Sequence, residues 1–437
     1  MAPCDVAVIG GGASGLAAAI AAARAGARAC VLERDVEAGL PILATGNGRC
    51  NVSNAHLDPE RYRHPEVART VMGERPEREI EAFFNSMGLI MAEESEGRLY
   101  PLTRRAESVR YVLLAACERE GVEVVTCAEV SGAQRNPENR AWRLAVDLPS
   151  RPLPRKEEDD GKAALRRARK ALAAAERVRH PLDARAVVIA PGGASESLCE
   201  LFAVPHLAEE PLLCPLACLL GPELADATGV EALPQDLDGL RAEAALRLSR
   251  GGAPIASEQG ELLFRPYGIS GIAAFDLSRR AAAGDVLEID FFPTLDREGL
   301  LRMLQARTQA IGPFTGGPRW FDGMLARPLG RLLARAVRAS ANPLESASGL
   351  LHALPLRVTG TAEVRQAQVR RGGIPFDAVE LPGLAVTPQR TPALFACGEA
   401  LDMDADCGGF NLAWAWLSGI RAGRAAAAAA RKAIPAA

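Results

Sequence analysis

The chain has 437 residues, with 51 basic against 54 acidic side chains and a formal charge of -3. That length gives room for roughly three domain-sized cores, and the near-balance of charge supplies no general attraction to nucleic acid or an anionic membrane. A small-molecule substrate fits this balance; nucleic-acid and membrane partners are not expected. The ten cysteines contain no C-x-x-C pair, the nearest two being Cys214 and Cys218, so they read as free thiols of a reducing, cytoplasmic setting. Only "MAPCD" precedes the first apolar run, so no secretory leader is expected.

Residues 5 to 9, "DVAVI", are a β-branched apolar run, and 12 to 25 are a small-residue run of helical length. The glycines at Gly10, Gly12 and Gly15 therefore mark a strand-to-helix turn. In such a turn the first glycine permits the bend, the second lets backbone approach a pyrophosphate, and the third lets helix and strand pack closely. A second strand, "ARACVLERD", ends at Glu33, 18 residues after Gly15, where a carboxylate can accept both hydroxyls of an adenosine ribose. The motif alone does not separate FAD from NAD. Downstream, "GLPILATGNGRCNVSN" (39 to 54) reads as a loop that offers backbone N–H groups, Arg49 and amide side chains to an anion or a heteroaromatic edge. Cys50 within it would be reactive if Arg49 lowered its pKa, against the alternative of a packed small residue.

Residues 121 to 147 alternate as a small hairpin or meander with Asn136-Pro137 in its turn. The charged stretch 150 to 182 predicts a solvated helical insertion, helical over 162 to 178, and "ARAVVIAPGG" (184 to 193) a buried strand ending in a glycine turn. From 194 to 356 the nucleotide-binding pattern stops. Strand-like pieces lie near 212 to 220, 243 to 248, 261 to 264 and 286 to 292, and helical periodicity runs from 296 to 352. The stretch "RVTGTAEVRQAQVRRGG" is expected to lead back to the first domain. Finally, "TPALFACGEALDMDADCGGFNLAWAWLSG" reads as a strand (393 to 397), Gly398-Glu399, an acidic loop, and Gly408-Gly409 opening an apolar helix. A carboxylate there can accept hydrogen bonds from a ribityl chain, and the helix start can face the N1/O2 edge of a flavin. NAD has neither group, so this end of the chain favours FAD. Arg421, Arg424, Arg431 and Lys432 break the final apolar run, which reads as a buried helix rather than a membrane span.

The blocks "GGGASGLAAAIAAARAG", "ILATGNGRCNVSN", "GRLYPLTRRAESV", "GELLFRPYGISG" and "LFACGEALDMDADCGGFNLAWAWLSG" resemble, in the same order, those of the YhiN/BaiN-like family of FAD-dependent oxidoreductases. The resemblance implies an α/β fold: a Rossmann-like FAD-binding domain built from both chain ends (1–193 and 357–437) with an inserted substrate domain, β-rich over 194–295 and helical over 296–356. It implies that Ala13, Ser14 and the neighbouring glycines hold pyrophosphate, Glu33 and Arg34 the adenosine ribose, and Val130 the adenine side through its backbone. Thr45, Gly46, Asn47, Gly48, Arg49, Cys50 and Asn51 would line the isoalloxazine. Gly192, Gly398, Glu399, Asp406, Gly408, Gly409, Phe410, Asn411 and Leu412 would complete the site. Two departures stand out: Leu40-Pro41 where the family usually carries a basic residue, and Ala190-Pro191 where it usually reads Ala-Thr.

A flavin carries the redox chemistry, so the protein has to position a substrate over it. No redox cysteine pair and no metal-ligand spacing is present, and no second strand-G-x-G-x-x-G-helix unit would hold NAD(P)H permanently, so a nicotinamide donor would visit transiently. Tyr267, Tyr100 and Arg98 are the candidates for orienting or protonating substrate, each against the alternative of core filler. The leading expectation is reduction of a conjugated C=C bond in an apolar, steroid-like or bile-acid-like ketone. The alternatives are an amine or aminoketone oxidase that uses oxygen, and a non-catalytic flavoprotein that signals redox state.

Overall fold

The computed structural model describes residues 1–136, 141–153, 161–315, 317–363, 367–387, 389 and 391–432. The chain divides into two compact units, one from Met1–Glu210 and Val369–Ala437, the other from Pro211–Gln368.

In the first unit, five strands run parallel in the order Glu123–Val125, Ala29–Leu32, Cys4–Ile9, Arg177–Ile189, Leu394–Ala396. Val6, Ala7 and Val8 are fully buried, as expected of a parallel strand covered on both faces. The sheet is extended by Ala385–Val386 and Val379–Glu380, antiparallel. The strand Leu394–Ala396 comes from the far end of the sequence yet pairs Val187 to Ile189, so the two chain ends complete one sheet. Above it, the alanine-rich helix Ala13–Arg24 packs against the helix Phe410–Lys432. Small residues permit a close approach: a Cβ at Gly419 would lie 2.4 Å from the Ser14 carbonyl oxygen, and one at Gly423 would lie 2.1 Å from that of Ala18.

The second unit is built on a closed antiparallel barrel, ordered Leu216–Leu220, Gly268–Ser270, Ala253–Arg265, Arg241–Arg250, Val286–Asp290, Leu354–Thr361. Alternate residues Ala244, Leu246 and Leu248 point inward, the period-two signature of a strand. Helices Arg297–Ile311, Arg327–Ala336 and Pro343–His352 add Leu300, Leu304, Leu333 and Leu351 to the same core.

Several expectations are corrected. The units part at 210/211 and 368/369 rather than at 193/194 and 356/357. Helix Glu196–Phe202 stays with the first unit, where the Phe202 ring packs edge-on to Trp142 at 5.2 Å. Of the stretch 357–373 expected to lead back to the first unit, the residues to Thr361 belong to the strand Leu354–Thr361 that closes the barrel, and the first unit resumes at Val369. Glu123–Val125 joins the parallel sheet instead of the hairpin, which pairs Glu129–Arg135 with Trp142–Pro149. Pro137 of its expected turn lies outside the described residues, as does 154–160 of the insertion. The buried strand expected from 184 begins at Arg177, because the insertion's helix, Lys162–Ala174, ends four residues earlier than its composition suggests. The glycine-rich segment after Gly39 is not all loop, since Leu40–Ala44 forms a short helix.

Candidate functional site

The three glycines of the opening turn have different physical duties. Gly10 adopts φ +108°, and a Cβ there would lie 2.2 Å from the Ala190 oxygen. One at Gly15 would lie 1.9 Å from the Gly10 oxygen, so both are demanded by packing. Gly12 has an ordinary φ of -80°, and a Cβ there would meet nothing within 4 Å. That space opens at the start of helix Ala13–Arg24, which has no side-chain cap and no acidic residue in its first turn. Its first amide groups, including that of Ala13, lack helical acceptors and carry the positive end of the dipole, the environment an anion requires. Ser14 is buried, and its hydroxyl lies 2.3 Å from the position that a Cβ would take at Gly398.

Glu33 sits at the end of the second strand. Its Oε2 accepts the Gly11 N–H and its Oε1 the Asp35 N–H, each at 2.7 Å. One lone pair per oxygen remains for a diol, as an adenosine ribose presents. Arg34 is exposed beside it. Asp35 is gripped by Arg169, whose Nε lies 3.0 Å from both carboxylate oxygens, so the insertion's helix is docked at this end of the site. Burial alone would raise the Asp35 pKa, but the Arg169 guanidinium holds it below the usual value. Ala128 N–H donates to the Glu33 carbonyl at 2.8 Å, bringing the half-buried Val130 strand alongside.

In the next segment, Gly46, Asn47 and Cys50 are left-handed, with φ of 54°, 55° and 56°, and Gly48 has φ 83°. Such a run turns successive amides toward a common side. Thr45 fixes its start by donating Oγ1–H to the Ile42 carbonyl at 2.7 Å. Arg49 does not activate Cys50: its guanidinium pairs with Glu94 and stacks 4.2 Å from the Tyr100 ring centre. Cys50 is fully buried, and burial pushes its thiol up to about 12, so the packed reading is correct. Arg98, two strand positions from Tyr100, pairs with Glu96. The structure thus gathers Arg49 and Tyr100, with Arg98 nearby. Asn51 Oδ1 and Ser53 Oγ are buried without a hydrogen-bond partner. Buried orphan polar atoms are rare and need a partner, so both fit a bound polar ligand.

At the C-terminal block, the acidic loop presents three buried carboxylates, each facing an arginine. Asp402 lies 3.4 Å from Arg63, Asp404 receives Arg371 Nε at 2.9 Å, and Asp406 lies 3.3 Å from Arg61. Asp406 is therefore charge-paired. Gly408 and Gly409 have φ of 116° and 101°, and a Cβ at Gly409 would lie 2.3 Å from the Ser53 oxygen. Three side chains absent from the sequence expectation pin this helix start. Asn54 Nδ2 donates to the Gly408 carbonyl at 3.0 Å, Tyr62 O–H to that of Phe410 at 2.9 Å, and Trp416 Nε1 to that of Val52 at 2.9 Å. Asn411 braces the loop, accepting Ala405 N–H at 2.9 Å and donating to its carbonyl at 2.8 Å. Leu412 packs into the core. No acidic residue lies in the first turn of Phe410–Lys432.

Glu399 follows Gly398, whose N–H donates to Ser418 Oγ at 2.9 Å. Its carboxylate accepts the Arg370 amide, and burial pushes its pKa up to about 7. Gly192, at φ +75°, again has nothing within 4 Å of a Cβ position. In the second unit, Tyr267 O–H donates to Glu363 Oε2 at 2.9 Å. Burial and the Glu363 charge raise its pKa, so the phenol keeps its proton. Among the described residues no helix is long and apolar enough to cross a membrane, and no His/Cys/Asp/Glu cluster could hold a metal ion.

Comparison with known proteins adds to this geometry. The family model described as HI0933-like protein Rossmann domain matches residues 4–148. A 3-dehydro-bile acid delta(4,6)-reductase of Clostridium scindens is 30% identical over 447 aligned positions, covering 97% of this chain and 98% of that protein. Ribosomal RNA dihydrouridine synthases are more distant. That of Escherichia coli is 22% identical, over 95% of this chain and 96% of the relative, and that of Haemophilus influenzae 21% identical, over 94% and 95%.

Proposed function

The chain belongs to the HI0933-like, YhiN/BaiN-like family of FAD-dependent oxidoreductases, and we propose that within it the protein uses NAD(P)H to saturate a carbon–carbon double bond conjugated to a ketone in an apolar, steroid-like substrate. The observation that carries this reading is the similarity to the bile-acid reductase, which runs through both units rather than the nucleotide-binding ends alone. The reaction class gains support from the dihydrouridine synthases: a dihydrouridine is a uridine saturated at its ring double bond.

Bound FAD supplies hydride exchange at its N5. The residues around it hold and orient. Glu33 takes the adenosine ribose through the two lone pairs left on its carboxylate, and the amides at Gly12 and Ala13 take the pyrophosphate. Asn51 and Ser53 offer buried polar atoms that need partners, and the start of helix Phe410–Lys432 supplies positive potential for the pyrimidine edge, where negative charge gathers on reduction. Tyr267, protonated and hydrogen-bonded to Glu363, is the proposed proton donor to the substrate carbon or enolate oxygen. No second dinucleotide fingerprint exists in the sequence, so the nicotinamide donor is a visitor.

The test is anaerobic. NADH or NADPH should bleach the yellow holoprotein, and a conjugated steroid enone should restore the colour with stoichiometric formation of the saturated ketone. Bleaching by an amine in place of NAD(P)H, followed by recolouring with oxygen, or recolouring by uridine-containing RNA and not by enones, would overturn the substrate assignment. The Tyr267→Phe variant should bleach normally yet turn over enone about 100-fold more slowly.

A further inference from the structure

A small antiparallel sheet of Ser53–Asn54, Arg98–Pro101 and Met91–Glu93 follows the segment from Thr45 to Asn51. Tyr100 of this sheet packs on that segment, its Cε1 lying 3.5 Å from where Gly46 would carry a Cβ. Ala92 stands opposite Tyr100, and the register continues on either side: Leu102 N–H donates to the Ile90 carbonyl and Glu94 N–H to that of Arg98, both at 2.8 Å. Side chains alternate along a strand, so one face carries Ile90 with Leu102, Ala92 with Tyr100, and Glu94 with Arg98. The first pair is apolar yet 64% and 59% exposed, and the last is charged. Arg49 lies over the middle pair, 4.2 Å from the Tyr100 ring centre, and donates from Nη2 to Glu94 Oε1. Arg104 is ion-paired with the same oxygen through Nη1. Two cations therefore meet one carboxylate, an excess of one positive charge, while Arg98 is matched by Glu96. Among the described residues neither Arg49 nor Arg104 has a second carboxylate partner, and both are open to solvent. A guanidinium has five N–H donors in a planar fork, so most of theirs remain for another oxyanion. Arg104 is also left-handed, at φ 53°, a conformation that costs energy in a residue other than glycine.

We propose that Arg49 and Arg104 form an oxyanion subsite, and that it takes a carboxylate carried by the apolar substrate, whose hydrocarbon lies over Ile90 and Leu102. The inference rests on the preceding reading of a steroid-like ketone and adds that the substrate is an acid. Apolar and cationic groups in sequence along one face match an amphipathic acid. They match a nicotinamide dinucleotide less well, because its phosphates are flanked by polar sugars. Glu94 is the resident anion of the subsite: it orients both guanidiniums and competes with the incoming carboxylate. Its removal should therefore strengthen binding of an acid, whereas removal of either arginine should weaken it.

The experiment measures equilibrium binding to the oxidised holoprotein by calorimetry, so it needs no turnover. Its probes are a conjugated steroid enone with a side-chain carboxylate and the methyl ester of the same compound. Wild type should bind the acid about tenfold more tightly than the ester, the yield of one charge-assisted contact. Arg104→Gln should bring the ratio of the two dissociation constants close to one, and Arg104→Lys, which keeps the charge, should restore part of it. Glu94→Gln should widen the ratio by about threefold. A purely structural bridge gives no such opposite signs, because loss of either partner would loosen the segment and affect acid and ester alike. Equal binding of acid and ester to wild type, or Arg104→Gln and Glu94→Gln ratios that match wild type, overturns the proposal and leaves enone reduction standing. Slower bleaching of Arg104→Gln by NADPH but not by NADH, with an unaltered acid-to-ester ratio, would give the subsite to the donor's phosphate and overturn the substrate acid. If neither probe binds and no enone recolours the reduced protein, the preceding reading falls and the subsite with it.

Discussion

The two units arrange their buried polar groups differently. The barrel unit fills its interior with leucines from all its longer strands, with Leu246, Leu248, Leu262, Leu287, Leu354 and Leu356 all buried, and scatters its buried acids Asp276, Asp285 and Asp290 over separate elements. The other unit gathers its buried acids in one loop, each beside an arginine: Asp404 with Arg371, Asp406 with Arg61, Asp402 with Arg63. A core made of shape-tolerant aliphatics adapts to substitution, whereas backbone contacts and paired charges do not. The difference also explains why one unit announces its ligand in sequence and the other is silent. Glycines spaced between a strand and a helix, and acids crowded into one loop, leave a local pattern in sequence; leucines say only that a core exists.

The comparison breaks most visibly at Gly15. Its Cβ position is 1.9 Å from a main-chain oxygen that cannot rotate away, so Gly15→Val should leave no folded, yellow protein. In the other unit Gly268 is nearly as tight, its Cβ position 2.2 Å from the Leu216 oxygen, whereas Gly330 is looser, at 3.1 Å from the Phe321 side chain. Gly330→Ala should cost no more than about 1–3 kcal/mol, and thermal unfolding followed by circular dichroism distinguishes the two outcomes. Equal tolerance at Gly15 and Gly330 would contradict the proposed contrast.

Next in size is Arg371→Met. Asp404 is completely buried, and without the Arg371 guanidinium its charge loses its bidentate partner, a loss of about 3–5 kcal/mol. The barrel's nearest analogue is Arg250→Met. There Arg250 is more than half exposed, while Asp285 keeps the Ala282 amide at 2.7 Å, so the loss should be smaller. Urea unfolding of the two variants side by side gives the ordering, and a larger loss at Arg250 would reverse the argument.

Legibility followed the same divide. Strand Cys4–Ile9, the helix after Gly12, Glu33 at the end of its strand and the helix at Phe410 are all readable, because each is specified by neighbours in sequence. Barrel closure was not, since Leu354–Thr361 is defined by its partners Leu216–Leu220 and Val286–Asp290, more than a hundred and more than sixty positions away respectively. Nor could sequence show that Asn54, Tyr62 and Trp416 tie the flavin segment to the C-terminal helix, because a polar side chain's distant acceptor leaves no local pattern. Ser14 and Asp406 are assigned to the ligand by motif alone, and no local pattern foretells that the first is buried beside Gly398 or that the second pairs with Arg61. Motif position fixes the backbone more firmly than it fixes a side chain's direction.

Asn54 is the intermediate case. It is buried, and its amide spans three backbone groups: it donates to Glu96 and Gly408 and accepts from His56 at 2.8–3.0 Å. Asn54→Ala should cost about 1–3 kcal/mol, because three partly buried hydrogen bonds are lost together. Since one of them is Gly408, at the helix start proposed to meet the flavin, the variant should also weaken FAD binding in proportion. A stability loss with unaltered FAD affinity would detach Gly408 from the cofactor.

The smallest effect is expected at Tyr100, and it is informative for that reason. Tyr100 was a catalytic candidate, but its ring lies under the Arg49 guanidinium at 4.2 Å, and that guanidinium is held in turn by Glu94. Such stacking is worth about 0.5–1 kcal/mol and depends on the ring, not the hydroxyl. Tyr100→Phe preserves the ring, so stability and enone turnover should both stay close to wild type, while Tyr100→Leu should lose the stacking energy and loosen Arg49. A proton donor would give the reverse pattern: Phe and Leu would be equally inactive, and the loss would appear in kcat rather than in folding. Turnover of the Phe variant therefore decides whether Tyr100 acts on substrate or only steadies the loop from Thr45 to Asn51.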